Sequence, residues 1–362
     1  MNNISLQHGD LLQAPVEALV NTVNCVGVMG KGIALQFDWA FPDNSRLYKE
    51  SCKRGELHPG DLLVYKRQPE LEKPLPLIIF NFATKDHWRG RSRLEWIESG
   101  LQHLVAEVNA QGLNSIAIPP LGCGNGGLKW SVVRPLIETA FSALPDVKVW
   151  LYAPEGAPEA SQMATPQKAP TMNATAALYI RLLAHYSAVD LEFSHLVFQK
   201  LAYFLKEAGE PSRWKFKAQI YGPAADGPFQ YLRQWEHHWI IGFGDGTGGP
   251  QRPMLLKPEV IAEAEEFLIQ HPVPEREDRV NQVIHLIEGL DTATGLELLA
   301  SVHWVAREHP EAASDYRIAT DYVHRWNEHK RRNFPVEWIH AAWQQLHERG
   351  WMEKLQPIER TA

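Results

Sequence analysis

Residues 9–37 read GDLLQAPVEALVNTVNCVGVMGKGIALQF, and this stretch organises the first half of the chain. The run Ala18-Leu19-Val20 predicts a buried strand, three glycines punctuate the loop that follows, and residues 33–37 predict the first turns of a helix. A strand, a glycine loop and a helix N-terminus together form a geometry that binds phosphate. Glycine lets backbone N–H groups approach an anion, and the helix dipole favours negative charge at that end.

The glycine spacing of this loop is G-x-x-G-x-G, and it can be compared with the known nucleotide-binding motifs. A dinucleotide-binding fingerprint needs G-x-G-x-x-G, and a Walker A loop needs Gly-Lys-Ser/Thr with another glycine five positions earlier. Here Gly32 follows Lys31, and Cys25 stands where the earlier glycine would be. Neither nucleotide motif is met, and the spacing alone fits a glycine-rich turn without a ligand equally well.

A second glycine loop lies about ninety residues further along the chain. Residues 115–120 (SIAIPP) predict another buried strand, which runs into the segment 121–128 (LGCGNGGL) and then into a helical pattern near Trp130. Two glycine loops at strand ends would grip one pyrophosphate from both sides.

Four ordered motifs resemble those of the macrodomain, the module that binds ADP-ribose. They are GDLL, VNTVN, GVMGKGIALQF and PPLGCGNGGLKW, and the resemblance covers roughly residues 1–154. The segment between the two loops, with Thr84-Lys85 and His87-Trp88-Arg89-Gly90, is similar to that of the DarG antitoxins, which remove ADP-ribose from DNA. The resemblance implies a macrodomain fold with a mixed sheet.

Alternating strands and helices are also predicted from the residues themselves. The predicted strands are residues 4–6, 18–23, 61–65, 77–82, 115–119 and 147–152, and the predicted helices are residues 33–40, 44–54, 93–109 and 131–143. Several strands are continuous apolar runs, as expected when helices cover both faces of a sheet. The pattern predicts a three-layer α/β/α sandwich. Ligands of such sheets bind at the carboxyl ends of the strands, where both glycine loops fall.

The resemblance assigns substrate-binding roles to residues of both loops. It implies that Asp10 accepts the exocyclic amine of adenine, that the Leu11 backbone assists, and that Asn24 hydrogen-bonds the distal ribose, whose anomeric carbon reacts. The other implied substrate-binding residues are Asn21, Thr22, Gly30, Gly32, Ile33, Ala34, Thr84, Gly122, Cys123, Gly124, Asn125 and Gly126. From the residues alone, Asp10 also fits a turn or cap aspartate, and the two asparagines also fit side chains that satisfy loop backbone.

Lys85 and Asn24 are the candidate catalytic residues, and Lys85 is the one expected to do the chemistry. It follows the apolar run PLIIFNFAT at 76–84, which places it at the carboxyl end of a strand, on the ligand side. DarG-like enzymes place a catalytic lysine in this Thr-Lys context, whereas without the family the residue fits a solvated surface charge. An amine with its pKa lowered by desolvation would attack the anomeric carbon or stabilise the opened sugar as a Schiff base. The sequence does not choose between covalent attack and electrostatic assistance.

A basic, aromatic segment follows the lysine directly. Arg89, Arg91 and Arg93 alternate with small residues next to Trp88, a composition that holds phosphates and stacks a base. A solvated loop leading into the next helix is the alternative. We expect DNA contact, because the segment adjoins the candidate catalytic lysine.

One position departs from the pattern of the wider macrodomain family. Relatives that cleave ADP-ribose from protein glutamates carry an aspartate where this chain has Gly126. General acid–base work would then fall to Lys85, to bound water or to the substrate. This departure weakens the protein-glutamate alternative and is compatible with a nucleobase leaving group, because thymine linked through a ring nitrogen leaves as a stabilised anion.

Composition sets the class of protein and its surroundings. At 362 residues the chain is expected to form two domains, and 44% apolar with 22% charged residues is ordinary for a globular protein. No apolar signal region and no run of about 20 apolar residues occurs, so we expect a cytoplasmic protein without a membrane partner. The three cysteines lack zinc spacing, as do the histidines of the second half, so we expect neither a metal nor another cofactor.

The second half of the chain differs in kind. A proline-rich segment (156–175) predicts a linker between the macrodomain at 1–155 and a mainly helical domain at 176–362. The predicted helices of this half are residues 178–186, 196–206, 259–270, 278–288, 295–308 and 335–349. Residues 1–155 carry 15 Lys and Arg against 16 Asp and Glu, whereas residues 156–362 carry 21 against 27, together with eight of the thirteen tryptophans.

These observations lead to one functional hypothesis and three alternatives. The resemblance implies an antitoxin that hydrolyses ADP-ribose from DNA, with thymine in single strands as the expected base, and that restrains a DarT-like toxin by direct binding of its C-terminal domain. The first alternative is an ADP-ribose reader without catalysis, and the second is a hydrolase of ADP-ribosylated protein or of free ADP-ribose derivatives. A C-terminal domain that only dimerises or stabilises the macrodomain is the third.

Overall fold

The computed structural model describes residues 3–68, 75–166, 168–188, 192–353 and 355. The chain forms two compact units. The first comprises residues 1–167 together with a short later segment, residues 244–247, and the second comprises residues 168–243 and 248–362. None of the helices in the described residues is both long and apolar enough to cross a membrane.

The first unit contains a six-stranded mixed sheet. Its elements in chain order are β1 (Ile4–Gln7), β2 (Ala18–Asn24), α1 (Gly32–Ala40), α2 (Pro42–Lys53), β3 (Leu62–Lys66), β4 (Ile78–Lys85), α3 (Leu94–Ala110), β5 (Ser115–Ile118), α4 (Trp130–Phe141) and β6 (Lys148–Tyr152). The strand order is β1-β6-β5-β2-β4-β3, and all neighbours are parallel except β3 and β4. Every strand and helix predicted for this half is present, with ends that differ by no more than three residues.

Helices cover both faces of the sheet, which confirms the three-layer α/β/α prediction. Neighbouring residues of the central strand β2 point to opposite faces, so Val20 joins the core under α3 and α4 while Leu19 joins the core under α1. Strand β4 is buried at every position, as its unbroken apolar run predicts. The carboxyl ends of β2, β4 and β5 therefore lie side by side, and the glycine loops leave from this edge.

The second unit is mainly helical, as predicted. Its elements are α5 (Ala174–Tyr186), β7 (Glu192–Ser194), α6 (His195–Glu207), β8 (Lys217–Gln219), β9 (Gly222–Ala224), α7 (Asp226–Trp235), β10 (Ile240–Ile241), β11 (Pro253–Leu256), α8 (Pro258–Gln270), α9 (Pro274–Ile287), α10 (Ala293–Glu308), α11 (Pro310–Ser314), α12 (Tyr316–Trp326), α13 (Glu328–Asn333) and α14 (Val336–Glu348). All six predicted helices of this half are present. The short strands, and the helices α7, α11, α12 and α13, were not predicted.

The predicted linker differs from its sequence interpretation, whereas the tryptophans of the second half lie mostly where a packed core would place them. Within the predicted linker, residues 160–162 form a short 3-10 helix, and Ala160 and Met163 are buried. Among the eight tryptophans after residue 156, four are buried in the core (Trp235, Trp239, Trp304 and Trp351), whereas Trp338 is 51% exposed. Tryptophan here mostly serves packing, because a large apolar ring gains most from burial.

Candidate active site

The N-terminus of α1 brings three chain segments of the first unit together. Gly32 opens this helix with a φ of +66°, in the left-handed region that favours glycine. A Cβ at this position would lie 3.4 Å from Nδ2 of Asn125 and 3.7 Å from Cγ2 of Thr247. The two predicted glycine loops therefore meet at Gly32, and the short segment 244–247 lies against the same residue.

Lys85 is the last residue of β4, within the strand and not after it as predicted. It pairs in register with Asn24 of β2, and its Nζ donates a hydrogen bond to the Asn125 carbonyl of the second glycine loop. The residue is only 9% exposed, and burial lowers the pKa of its amine. The solvated-surface interpretation of Lys85 is therefore wrong, because a buried strand end and a loop carbonyl hold its side chain.

Asn24 holds the first part of the glycine loop. Its Oδ1 accepts hydrogen bonds from the N–H groups of Val26, at 3.0 Å, and Val28, at 3.3 Å, and its Nδ2 donates to the Val28 carbonyl at 2.6 Å. The Tyr48 hydroxyl donates to the Asn24 backbone carbonyl at 2.7 Å. The side chain thus satisfies loop backbone, the structural alternative considered above, at a position directly beside Lys85.

Asn21 lies in a fully buried amide network. Its Nδ2 donates to Oδ1 of Asn81 at 2.9 Å, and Nδ2 of Asn44 donates to the same oxygen at 3.2 Å. On the neighbouring strand, the buried Thr84 hydroxyl contacts the Val23 carbonyl at 3.4 Å. These hydrogen bonds hold β2 against β4 and α2. They therefore fix the two strands whose ends carry Asn24 and Lys85. Asn44 and Asn81 were missed by sequence reasoning, since nothing in their spacing marks them.

Asp10 caps the short 3-10 helix Leu11–Gln13. Its Oδ1 accepts the Leu12 N–H at 2.9 Å. Burial raises the pKa of this carboxyl, and hydrogen bonds from Leu12 and Gln13 oppose the rise. Burial and the Asp10 charge together raise the pKa of Tyr152. Asp10 is therefore a cap, and the next residue, Leu11, packs in the same core cluster as Tyr152.

The second glycine loop is closed on itself by glycine contacts. Gly122 has a φ of +69°, and a Cβ on Gly126 would lie 2.3 Å from the Gly122 carbonyl oxygen and 2.3 Å from Oγ of Ser92. Position 126 therefore leaves no room for a side chain. An aspartate, which the family resemblance led us to look for at this position, would collide with the loop in this structure.

Ser92 was not among the predicted site residues. Its N–H donates to the Gly126 carbonyl at 3.0 Å, and its side chain lies against both Gly122 and Gly126. The serine is 6% exposed, and within the described part of the chain its hydroxyl has no hydrogen-bond partner. Ser92 therefore ties the arginine-rich segment to the second glycine loop. The only sequence signal is its place between Arg91 and Arg93.

The arginine-rich segment presents an aromatic stack. Trp88 is 43% exposed, its ring stacks on His87 at 5.6 Å, and the Arg89 guanidinium lies 4.3 Å from the Trp88 ring centre. Arg93 lies 5.1 Å from the ring of Trp96, and both line an open groove of about 530 Å³. The exposed Trp88 ring beside a guanidinium group offers an aromatic face and a positive charge to the solvent, whereas Trp96 is half-buried.

The site cysteines do not offer a nucleophile. Burial raises the pKa of Cys25 to about 12 and that of Cys123 to about 11, so both stay protonated at neutral pH. The Cys25 thiol donates to the Lys85 carbonyl at 3.2 Å. Burial shifts the pKa of Lys85 the other way, downward, which raises the share of neutral amine.

Comparison with known proteins identifies what this chain is similar to. Residues 20–137 match the macro domain family. The chain is 42% identical over 342 residues to a DNA ADP-ribosyl glycohydrolase of Thermus aquaticus, across 94% of this chain and 92% of that protein. It is 38% identical over 164 residues to a DNA ADP-ribosyl transferase–DNA ADP-ribosyl glycohydrolase fusion protein of Thermosipho africanus, across 42% of each. The solved macrodomain of Thermus aquaticus DarG is 53% identical, covers 42% of this chain and 98% of its own, and gives a TM-score of 0.39.

Proposed function

The chain belongs to the family of DNA ADP-ribosyl glycohydrolases, and from that premise we propose that it hydrolyses ADP-ribose from DNA at the edge of the sheet where the two glycine loops meet. The observation that carries this proposal is the contact between the buried amine of Lys85 and the Asn125 carbonyl. It joins the candidate nucleophile to the loop that would hold the ligand's pyrophosphate, at the carboxyl ends of the strands.

The ligand would lie across both loops. Backbone N–H groups of residues 30–34 at the start of α1 suit the pyrophosphate, because the first N–H groups of a helix have no partner within the helix and the dipole gives this end positive potential. Asp10 and the Leu11 backbone would take the adenine, next to the ring of Tyr152. The distal ribose would then reach Asn24 and Lys85, which are register partners at the strand ends.

Lys85 would act as a nucleophile. Its lowered pKa raises the fraction of neutral amine, whereas a lysine cation would oppose the positive charge that develops on the ribose. The amine would form a bond to the anomeric carbon as the bond to the ring nitrogen of the base breaks. The bond's electron pair leaves with the base, which then takes a proton. Loss of the amine's proton and opening of the sugar give a Schiff base, which water hydrolyses to ADP-ribose and free lysine. Borohydride should trap the wild-type intermediate on Lys85 and leave Lys85→Ala unmodified.

A nucleobase suits this site better than a protein glutamate. Position 126 leaves no room for a carboxylate, and a thymine anion needs less acid assistance on leaving. Trp88 and the arginines around it would hold the flanking single strand by stacking and by phosphate contacts.

Two modified substrates and the product ADP-ribose test the proposal. The full chain would be incubated with ADP-ribosylated single-stranded oligonucleotide and with ADP-ribosylated protein, and the released products would be separated. Binding of free ADP-ribose would be measured alongside. We expect release of ADP-ribose from the oligonucleotide at a rate at least tenfold above release from protein. Tight binding of ADP-ribose without release from either substrate would instead identify a reader, and faster release from protein would identify a protein hydrolase.

We further propose that the second unit binds and neutralises a DNA-modifying toxin. Two observations support this. A relative in Thermosipho africanus is a fusion of a DNA ADP-ribosyl transferase with a DNA ADP-ribosyl glycohydrolase, and the second unit, residues 168–243 and 248–362, carries 25 Asp and Glu against 21 Lys and Arg. A toxin that modifies DNA must present a basic groove, which an acidic surface would fill.

Co-expression tests this second role. The full chain with Lys85→Ala, which removes hydrolysis, should still protect cells from the partner transferase, and the pull-down of that transferase should weaken as salt rises. Cells that die as fast as with the transferase alone, while the variant is folded and abundant, would leave the second unit with a structural role only.

A further inference from the structure

A tight turn from late in the chain occupies a backbone donor of the first glycine loop. The Gly32 N–H donates a 2.9 Å hydrogen bond to the backbone carbonyl of Asp245, which belongs to the same compact unit. Thr247 packs against Gly32, and Asp245 is only 7% exposed. The start of α1 is therefore capped by another part of the chain.

The turn has a defined internal geometry. Oδ1 of Asp245 accepts hydrogen bonds from the Thr247 N–H, at 3.0 Å, and from the Thr247 hydroxyl, at 2.6 Å. Gly244 and Gly246 both have positive φ, at +58° and +71°. A Cβ on Gly244 would lie 3.0 Å from Ala160 and 3.1 Å from the Met163 sulfur, so the turn is also closely packed at its start.

The turn and a bound pyrophosphate require the same space. A phosphate oxygen on the Gly32 N–H would lie where the Asp245 carbonyl oxygen now lies, about 3 Å from the nitrogen. The Asp245 carbonyl and a phosphate oxygen would therefore compete for the same N–H donor at the start of α1.

We propose that the turn 244–247 is an internal competitor of the ADP-ribose pyrophosphate and must leave Gly32 before the ligand binds. This inference rests on the proposed function, because it concerns the same phosphate site. The apparent dissociation constant of ADP-ribose then equals the intrinsic constant divided by the fraction of molecules in which the turn is open. Any change that opens the turn tightens ligand binding.

Calorimetry with ADP-ribose on the full chain tests the competition. Asp245→Ala removes the acceptor of two hydrogen bonds and should tighten binding about tenfold. Asp245→Asn keeps an oxygen acceptor and should bind more like wild type. Asp315→Ala is the matched control, because Asp315 accepts the N–H of the second following residue in the same way, at 2.8 Å, in the other unit. Its affinity should not change.

The outcomes separate the competing explanations. General damage to the fold would weaken binding, so tighter binding by Asp245→Ala alone supports competition. Equal affinity of Asp245→Ala and wild type overturns the competition while leaving ADP-ribose binding intact. An absence of ADP-ribose binding by every variant contradicts the proposed function itself, and the competition with it.

Limited proteolysis gives a second readout. A protease that cleaves before aspartate should cut the Gly244–Asp245 bond faster when ADP-ribose is added, because the ligand would release the turn from Gly32. Cleavage before Asp315 serves as the internal reference. Slower cleavage at Asp245 with ADP-ribose would show that the turn closes over the ligand, and it would overturn the proposal.

Discussion

Gly126→Ala tests whether the second glycine loop positions the catalytic site. One methyl group at this position would lie 2.3 Å from both the Gly122 carbonyl oxygen and the Ser92 hydroxyl, and 2.8 Å from the Gly122 carbonyl carbon. Two of these three contacts are backbone atoms of the same loop, so rotation of a side chain cannot relieve them. The loop must move by about 1 Å to reach ordinary contact distance.

The expected effect follows from that displacement. Overpacking of a closed site costs about 1–3 kcal/mol, which corresponds to a fall of roughly 5 °C in the melting temperature of a unit of this size. Asn125 precedes the substituted residue, and its carbonyl accepts a hydrogen bond from the Lys85 amine. A shift of about 1 Å at a catalytic group lowers the rate about 100-fold. The loss in kcat should therefore exceed what the loss of stability explains.

Gly249→Ala is the matched control for this prediction. Gly249 lies outside both glycine loops, has no positive φ, and a Cβ there would meet nothing within 4 Å. Single-turnover release of ADP-ribose from modified oligonucleotide and thermal unfolding would be measured for both variants. Equal rates and equal melting temperatures for the two would refute the argument that Gly126 excludes a side chain.

Three further predictions address charge. Because burial lowers the pKa of Lys85, kcat/KM should rise with pH up to that lowered pKa, as the amine loses its proton, and then level off. If the residual activity of Lys85→Ala rose with pH in the same way, the pH dependence would belong to another group. Changing Arg89, Arg91 and Arg93 together to Ala should raise KM for modified oligonucleotide and reduce its salt slope by roughly one per lost phosphate contact, whereas Arg134→Ala on α4 should change neither. Lys200 is buried with its Nζ on the Pro223 carbonyl at 2.8 Å, and burial lowers its pKa to about 7. Since the unfolded chain holds that proton to higher pH, the free energy of unfolding should rise between pH 7 and 10, and Lys200→Met should lose this rise in denaturant titrations.

The first unit follows closely from its sequence because its signals are local. Strands β2 and β4 are apolar runs bounded by loop residues, and both glycine loops fall at strand ends, so their approach to each other follows from parallel pairing. The position of Lys85 inside β4 was harder to predict, because Thr84 and Lys85 are polar residues that ordinarily end a strand. Strand β2 extends to Asn24, the register partner of Lys85, so the end of β4 is covered by a neighbouring strand.

Other parts of the site depend on contacts between distant positions. Ser92 contacts Gly126, which is 34 residues away in sequence, and Asp245 contacts Gly32, which is 213 residues away. Sequence periodicity predicts neither contact. The short strands of the second unit escaped prediction for a similar reason. Strand β10 has two residues and depends on its pairing with β11, so tertiary contact and not local pattern determines it.

Lys85 is the residue that we propose removes ADP-ribose from DNA. This role is tested by single-turnover release of ADP-ribose from an ADP-ribosylated single-stranded oligonucleotide by wild type, Lys85→Ala and Lys148→Ala. Lys148 is an exposed lysine that begins β6, at the edge of the sheet opposite the carboxyl ends of the strands. We expect rapid release by wild type and Lys148→Ala, and at least 100-fold slower release by Lys85→Ala, which should keep its affinity for ADP-ribose. Release by Lys85→Ala at the wild-type rate would contradict the catalytic role of Lys85.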